Sequence, residues 1–353
     1  MARREGVEGS EPVGRGESSG PASLADVARL AGVSAGTVSR ALSRPEMISD
    51  ETRTRVLEAA AELNYVANGT ARSLVMKRTM TIGAIVPRFG TSSFPLMIQS
   101  LEAELAADGY TLLIASPDHN ESREPRILRT LLERGVDAVA LLGSDHPATT
   151  YAMLKAHGKP YVLMWGQARR REVVGFDEGR AASEVVEHLY GLGHRSLAFV
   201  GGRTDDNERA RARRKAVADA AHRFGLGLSA DALIETDYGF QHGYEATREI
   251  LDRGTDATAI LLGNDYLAAG ALAALSAYAV RVPEQISVAS FNDNDFAAYL
   301  VPSLTTVRLP IAEIGRAAAS YLVATLHGRR ARAPKRLPVE LVVRDSTGPC
   351  LTR

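Results

Sequence analysis

In this chain of 353 residues, the side chains whose chemistry could form a site include one arginine, Arg40, and two histidines, His188 and His194. Arg40 lies in the short stretch SAGTVSRALSRP, residues 34–45, and its guanidinium can form paired hydrogen bonds with a planar acceptor. An isolated arginine is more often a solvated surface residue, so Arg40 needs a structural context before it indicates a site. His188 and His194 look like metal ligands in isolation. No third ligand is placed with them, so we interpret both as organising a helix end.

Motifs of two common enzyme classes are missing from the sequence. The stretch GGRTDD, residues 201–206, lacks the spacing and the lysine of a phosphate-binding loop, and no GxSxG nucleophile elbow occurs. The only cysteine is Cys350, which excludes a disulfide framework or a cysteine-built zinc site within one chain. We therefore expect no catalytic residues, no metal and no cofactor.

The composition is that of a globular protein, with 45% hydrophobic residues, 24% charged residues and a formal net charge of +0. Any contact with nucleic acid must therefore come from a local patch of charge. No run approaches the roughly 20 apolar residues of a membrane span, and the N-terminus lacks the apolar centre of a secretory signal. The sequence predicts a cytoplasmic protein with no membrane partner and with a disordered leader over residues 1–22.

Three short helical patterns follow the leader, and each is preceded by a serine that can cap it. Ser23 precedes the first pattern, Ser34 the second and Ser49 the third, with Gly32 in the first turn. This arrangement predicts a small bundle of the helix-turn-helix type. The positions expected to face inward are Leu24, Val27, Ala28, Ala31, Val38, Ala41, Leu42, Val56, Leu57, Ala60 and Leu63.

From Thr81 onward, short apolar strand patterns alternate with helical patterns. The strand patterns are TIGAIVP, TLLIAS, DAVALLG, PYVLMW, SLAFVGG, AILLGN and SVASFN. The alternation predicts parallel sheets covered by helices on both faces. Roughly 260 residues is too much for one open sheet, and a break near residue 175 indicates two lobes. The predicted fold class is α/β, with a small all-α helix-turn-helix head and two doubly wound lobes.

A series of motifs occurs in a fixed order along both halves of the chain. The head contains LADVARLAGVSAGTVSRAL, VLEAAAELNYVAN and ARSL, and the later motifs are HLYGLGH, FVGGR, LLGNDYLAAGAL and ISVASFNDNDFAAYLVPSLTTVRLPIAEIG. In these motifs the sequence resembles the lactose/galactose repressor (LacI/GalR-type) family of bacterial transcriptional regulators over about residues 23–346. The resemblance implies a DNA-binding head and a two-lobed, periplasmic-binding-protein-like domain with a ligand cleft between its lobes.

The resemblance also implies a division of the chain into functional segments. These are a DNA-binding head over 23–66, a hinge helix and linker over 67–79, and an effector-binding and dimerisation domain over 80–346. The two lobes of that domain would be discontinuous. Lobe one takes about 80–175 and 310–330, and lobe two takes about 176–307 and 335–346.

In the family, the second helix of the head enters the major groove of DNA. Base contacts would come from Ala35, Gly36 and Arg40, of which Arg40 is the candidate for a bidentate contact with guanine. The two small residues would pack on a thymine methyl group or let the helix approach the bases closely. Contacts with the DNA backbone, which position the helix, would come from Leu24, Ser34, Thr37, Ser39 and Asn68.

The linker NGTARSL resembles the hinge helix of the family. A segment this short is not a stable helix alone in water, so it would fold when two copies meet in the minor groove. Leu74 would then be the apolar wedge that kinks the DNA, with Ala71 and Arg72 as hinge residues. The alternative for Leu74 is an ordinary linker leucine that packs on a lobe.

Candidate effector-binding residues are those that follow strands, since ligands of such folds bind at the carboxyl ends of the strands. Arg213 falls at the effector-binding arginine of the family, although Arg209, Arg211 and Arg214 lie within a register error. The other candidates are Arg88, Phe94, Asp177, Tyr238, Asn264, Asp265 and Asn292.

Two features of this set bear on the chemistry. Asn292 stands where relatives usually carry aspartate, and with Arg88 and Arg213 it favours an anionic effector such as a sugar acid. Asp177 and Asp265 could instead cap the helices that follow them.

The sequence therefore predicts a DNA-binding transcriptional regulator, a repressor by preference. Its affinity for a pseudo-palindromic operator would be controlled by a small sugar-like effector. It would be a homodimer, because one hinge helix cannot fill a two-fold operator. The alternatives are an enzyme or a soluble sugar-binding protein on the same two-lobed fold, and the latter would need export.

Overall fold

The computed structural model describes most of the chain. The described residues are 21–66, 78–87, 93–117, 121–166, 172–205, 207–228, 230–333 and 336–351. Tertiary contacts divide the chain into two compact units, Met1–Thr79 and Met80–Arg353. Within the described stretches, no helix combines the length and the apolarity that a membrane span requires.

The first unit is a head of short capped helices. Its helices are α1 (Leu24–Ala31), α2 (Ala35–Ser43) and α3 (Asp50–Glu62). Ser23 and Asp26 form a reciprocal capping box at the start of α1, so two otherwise unpaired N–H groups are satisfied. The Ser34 and Ser49 hydroxyls accept from backbone N–H groups at 3.1 and 3.4 Å, which caps α2 and α3 in the same way.

The three helices of the head bury one small core. Gly32 ends α1 with a φ of +66°, a conformation that glycine adopts without strain, and α2 can then begin after two residues. Leu57 is half exposed, so the prediction that it faces inward was wrong, and Ala59 packs inward instead. The buried core residues are Val27, Ala28, Ala31, Val38, Ala41, Val56, Ala59 and Ala60.

Lobe one is built on a parallel sheet of five strands in the order β2-β1-β3-β4-β5. Its strands are β1 (Thr81–Ile85), β2 (Thr111–Ala115), β3 (Ala138–Leu142), β4 (Tyr161–Met164) and β5 (Val173–Val174). The helices between them are α4 (Phe94–Ala107), α5 (Glu124–Glu133) and α6 (Ala148–Ala156). Every residue of the central strand β3 is buried, as expected for a parallel strand covered on both faces.

Lobe two is built on six strands in the order β11-β10-β9-β8-β6-β7, and only β11 runs antiparallel to its neighbour. The strands are β6 (Leu197–Gly202), β7 (Leu233–Thr236), β8 (Ala259–Leu262), β9 (Ser287–Asn292), β10 (Thr305–Arg308) and β11 (Glu340–Val342). The helices that follow β5 are α7 (Glu178–Gly191), α8 (Glu208–Phe224), α9 (Phe240–Asp252), α10 (Asp265–Ala277) and α11 (Ile311–Leu326).

The last helix returns to the first lobe. After β10 in lobe two, α11 packs along α4 and beside β4 in lobe one, and the chain then goes back to form β11. Gly315 permits this packing, because a Cβ there would collide with the main chain of α4 at Met97 and Leu101. Both lobes are therefore built from discontinuous stretches of sequence.

Four strands of the structure were not predicted from the sequence. β5 has only two residues, and the edge strands β7 and β11 are largely half-exposed, so they lack a continuous apolar run. β10 is buried but opens on two threonines, Thr305 and Thr306, whose hydroxyls donate to Arg344 O and to Asp265. A search for apolar runs therefore misses strands that bury polar side chains and strands that are only partly buried.

The capping box of α1 can be tested with Ser23→Ala. Losing the cap removes the acceptor for the Asp26 N–H, so the head should become less stable by about 1 kcal/mol. The measurement is amide hydrogen exchange of α1 in the full-length chain, which should accelerate. Ser39→Ala, at an exposed position within α2, is the matched control. Equal exchange in the two variants would contradict the role of the cap.

Candidate functional site

The exposed face of α2 carries the residues that the sequence analysis assigned to DNA bases. Ala35, Gly36 and Arg40 are exposed, while Val38 and Ala41 anchor the opposite face in the core. The Arg40 guanidinium lies back along the first turn of α2, 3.5 Å from the Thr37 hydroxyl. A Cβ at position 36 would meet this guanidinium at 3.7 Å, which is an ordinary van der Waals contact, so the space beside Gly36 also admits a small side chain.

The candidate backbone contacts of the head are arranged around this face. The Ser34 and Thr37 hydroxyls bond to each other at 2.9 Å at the start of α2, and Ser39 is exposed on the next turn. Leu24 packs partly against the core. Outside the described residues lie Asn68, Ala71, Arg72, Leu74 and Arg88.

In the second unit, candidate effector residues stand at the carboxyl ends of strands in both lobes. Phe94 begins α4 after β1, Tyr238 follows β7 and Asn292 ends β9. Trp165, which the sequence analysis did not single out, follows β4. Its ring meets that of Phe94 edge to face, with centroids 6.0 Å apart. The strand ends of both lobes thus border one cleft, where ligands of such sheets bind.

Arg213 lies at this cleft, but its charge is already balanced. Glu178 accepts from its Nε at 3.1 Å and from its Nη2 at 3.0 Å, and both side chains are only 5% exposed. The Arg213 Nη1 donates to the Gly263 carbonyl at 2.8 Å, and the guanidinium lies 4.6 Å from the centre of the Phe291 ring. A buried charge is tolerated only with such pairing, so Arg213 alone does not call for an anionic ligand.

Trp165 ties the first lobe to this ion pair. Its indole Nε1 donates to Glu178 Oε1 at 3.3 Å, and its ring lies 5.7 Å from the Arg213 guanidinium. Glu178 is the second residue of this group that the sequence analysis missed. A tryptophan unique in the chain and placed directly after a strand was the available signal for Trp165. For Glu178 no local signal exists, because its partner is 35 residues away.

Asp177 and Asn264 act as helix caps. The Asp177 carboxylate accepts from Arg180 N at 3.1 Å at the start of α7, and the Asn264 side chain accepts from Leu267 N at 2.9 Å at the start of α10. The alternative that Asp265 caps α10 was wrong, because Asn264 holds that position. One side-chain oxygen of each residue thus bonds to the protein, and an effector contact of either residue stays a prediction.

Asp265 is the buried hub of a hydrogen-bond network at the ends of β9 and β10. The Ser290 hydroxyl donates to it, as do Thr306 Oγ1 at 2.8 Å and Asn294 through its main-chain N at 2.6 Å and its side-chain N at 2.9 Å. Burial raises the pKa of Asp265 to about 6, although these four donors act in the opposite direction. Asn294 in turn accepts from Ser93 Oγ at 3.1 Å, so the network reaches lobe one.

Asn292 combines backbone strain with an unsatisfied atom. Its φ is +111°, which is unfavourable for any residue with a side chain. Its amide oxygen is buried and accepts no hydrogen bond from the residues that the structure describes. Strain and an orphaned acceptor together mark a position that a ligand donor can satisfy.

Tyr238 forms a flat wall at the same edge of lobe two. Its ring packs on Gly202, where a Cβ would collide with it. Burial raises the pKa of the Tyr238 phenol, against the opposing charges of Arg213 and Arg209, so the ring stays neutral.

Polar contacts between the start of α8 and the loop after β3 also join the lobes. Arg211 pairs with Asp145, and the Ser144 side chain and main chain bond to the Glu208 carboxylate. Burial nevertheless raises the pKa of Glu208. The sequence did not predict this contact between the lobes, because neither segment contains a local pattern that indicates the other as its partner.

The two histidines of the HLYGLGH motif make structural hydrogen bonds. His188 Nε2 lies 3.0 Å from Thr347 Oγ1, and His194 lies within 3.1 Å of Thr258, Ser287 and the Gly348 carbonyl. Burial lowers the pKa of both imidazoles. The two rings fasten the C-terminal stretch to the end of α7 and to the β8 and β9 region.

Comparison with known protein families finds two matches along the chain. A profile described as "Bacterial regulatory proteins, lacI family" matches residues 23–68. A profile described as "Periplasmic binding protein-like domain" matches residues 186–347. The two matches fall on the head and on the two-lobed unit.

Relatives match over nearly the whole chain. The HTH-type transcriptional repressor CytR of Escherichia coli strain K12 is 31% identical over 329 residues, which are 92% of this chain and 96% of CytR. The crystal structure of the Lac repressor dimer bound to operator and the anti-inducer ONPF is 26% identical, with a TM-score of 0.83, and covers 93% of this chain and 100% of that chain. The transcriptional regulator CelR–cellobiose complex is 28% identical, with a TM-score of 0.68, and covers 92% of this chain and 99% of that chain.

The raised pKa of Asp265 predicts a pH dependence of stability. Between its ordinary value of 3.8 and about 6, the folded chain holds the proton more tightly than the unfolded chain. This contribution is fully present below pH 3.8 and is lost as the pH rises through 6. The free energy of unfolding of the wild type, minus that of Asp265→Asn, should therefore fall by about 2 kcal/mol between pH 4 and pH 6.

Urea unfolding followed by Trp165 fluorescence measures this difference in the two-lobed unit. Asp295→Asn, an exposed neighbour, is the control and should follow the wild type at every pH. A difference that stays constant from pH 4 to 7 would contradict the assignment.

Proposed function

Because the chain belongs to the LacI family of bacterial regulatory proteins, we propose that a small sugar-like effector bound between its lobes controls its affinity for operator DNA. The chain is a DNA-binding transcriptional regulator, as are its relatives along nearly its whole length, and the family consists of regulators rather than enzymes. The observation that carries the proposal is the cleft, whose walls come from both lobes and which contains an unsatisfied acceptor at Asn292.

An effector in this cleft would act on the contacts between the lobes. Ser93 with Asn294, and Asp145 with Arg211, join lobe one to lobe two, so a ligand that favours one relative orientation shifts both contacts. Rotation of the lobes would alter the spacing of the hinges. Coupling of about 1–3 kcal/mol between effector and operator is typical of such linkage.

The head would recognise the operator through α2. Arg40, exposed beside Gly36, would bond to a guanine in the major groove, with Ser34, Thr37 and Ser39 on the phosphates. The hinge over 67–79, with Leu74 as the wedge, would add the minor-groove contact. Head, hinge and effector domain would thus keep the roles predicted for 23–66, 67–79 and 80–346, in a protein of the cytoplasm.

We propose that the regulator is a homodimer on a two-fold operator. The Lac repressor structure that this chain resembles is a dimer on operator, and the CelR complex holds cellobiose. Each lobe offers exposed apolar side chains for a subunit contact. Ile114 is 42% exposed on the edge strand β2, and Tyr299 and Val301 after β9 are 85% and 92% exposed.

The DNA contact is tested by Arg40→Ala. DNA selected from a random pool by the wild-type chain gives the site. On that site the variant should lose about 1–3 kcal/mol per half-site and its base preference at one position. Competition gel shifts with single-base variants of the site measure both effects.

Ser39→Ala is the matched comparison, because the serine lies on the same helix and is assigned to the DNA backbone. It should weaken binding by a similar amount at every sequence. If Arg40→Ala keeps the full base preference of the wild type, Arg40 does not contact a base.

The subunit contact is tested by Tyr299→Asp. Burying a charge in an apolar interface is unfavourable, so the dimer should dissociate at a concentration at least about tenfold higher. Sedimentation velocity over a dilution series measures this. Leu351→Asp, 69% exposed, is the control and should leave the dimer intact. A dimer of unchanged affinity in Tyr299→Asp would place the interface elsewhere.

A further inference from the structure

Four arginines lie within six residues of α8, and three of them have a carboxylate of their own. Arg211 pairs with Asp145, Arg213 with Glu178 and Arg214 with Glu235. Arg209 differs from them, because it forms no ion pair or hydrogen bond with any residue that the structure describes. Because the three neighbouring arginines are each neutralised by a carboxylate, the charge of Arg209 is the one that a bound ligand could neutralise.

The Arg209 guanidinium reaches from lobe two across the cleft to lobe one. It lies 5.5 Å from the centre of the Phe94 ring and against Gly143, where a Cβ would collide with its Nη1. Burial lowers the pKa of Arg209, while Glu208, Tyr238 and Asp145 counteract the effect without forming an ion pair with it. An arginine guanidinium is protonated in proteins, and this one lies against an aromatic face, a setting in which an anion binds strongly.

At the carboxyl ends of the lobe-two strands, the side-chain oxygen of Asn292 is a hydrogen-bond acceptor that a ligand could use. Among the described residues no donor bonds to the Asn292 amide oxygen, and the residue is only 7% exposed and has a strained backbone. Asn292 is next to Phe291, and the Phe291 ring contacts the Arg213 guanidinium. Arg213 lies about one turn of α8 after Arg209. A ligand that satisfies both atoms must bring an anionic group and a hydrogen-bond donor such as a hydroxyl.

We propose that Arg209 selects an effector that carries a carboxylate or phosphate group together with hydroxyls, and that Asn292 accepts a hydrogen bond from one of those hydroxyls. The proposal rests on the proposed function and names the class of its effector. It moves the recognition of the anion from Arg213, whose charge Glu178 balances, to Arg209. Phe94 and Gly143 then position the guanidinium from the opposite lobe, so that an anion held by Arg209 also bridges the cleft.

The test uses the full-length chain and the fluorescence of Trp165, the only tryptophan in the sequence. Because Trp165 touches Phe94 and lies beside Arg213, its emission reports on occupancy of the cleft. The probes are D-gluconate, D-glucuronate, D-glucose 6-phosphate, D-glucose, acetate and inorganic phosphate. The two sugar carboxylates and the sugar phosphate distinguish the two anionic groups, and D-glucose is their neutral counterpart.

The variants are Arg209→Gln and Arg209→Lys, with Lys215→Gln as the matched control. The Lys215→Gln substitution removes one positive charge from the same helix, but the Lys215 side chain is exposed and pairs with Asp219. We expect at least one anionic sugar to bind the wild type and Lys215→Gln about tenfold or more tightly than D-glucose. The preference should vanish in Arg209→Gln and persist in weakened form in Arg209→Lys. Urea midpoints of all variants verify that each is folded.

Two results would overturn the proposal. The first is binding of D-glucose as tight as that of every anionic sugar, unchanged in Arg209→Gln. A neutral effector would then occupy the cleft, and the proposed function would survive. The second is the absence of any saturable change in Trp165 emission with all six probes. If instead an anion binds through Arg209 but leaves operator affinity unchanged in a gel shift, anion selection stands and the proposed control of DNA binding fails.

Discussion

The buried ion pair between Arg213 and Glu178 is the interaction on which the two-lobed unit depends. Glu178 begins α7, just after the chain first leaves lobe one, and Arg213 lies in the middle of α8. Through this pair the crossover, the end of β8 at Gly263 and the indole of Trp165 at the end of β4 are held in one hydrogen-bonded cluster. Burying the charge of either Arg213 or Glu178 alone would be costly, whereas the pair holds these segments together at the cleft. A ligand would therefore bind to polar groups outside this cluster.

The head was predictable because its determinants are local. A serine before each helix, a glycine after the first and apolar spacing along α1 to α3 lie within a few residues of the structures they specify. Leu57 was assigned to the wrong face, because Val56 beside it also satisfied the helical pattern and only packing separates the two. The central strands of both lobes were predictable for the same reason, since each is a continuous apolar run.

Parts of the cleft were less predictable, because their chemistry depends on partners distant in sequence. Arg213 was singled out from its place in a motif, but its neutralisation by Glu178 follows only from the fold. Arg209 was named from the sequence only as an alternative to Arg213, whereas the fold distinguishes it, because no carboxylate of the described residues forms an ion pair with it. The edge strands β7 and β11 were missed because a strand exposed on one side carries no apolar run.

The return of α11 to lobe one has a consequence for how such a gene can recombine. Since α11 packs on α4 of lobe one although it follows β10 of lobe two in the sequence, a genetic crossover between α4 and α11 joins two helices that were not selected together. The boundary at residue 79 is different, because each of the two compact units lies wholly on one side of it. Exchange of segments at that boundary would join a different head to the two-lobed unit while leaving both sheets and the contact between α4 and α11 intact.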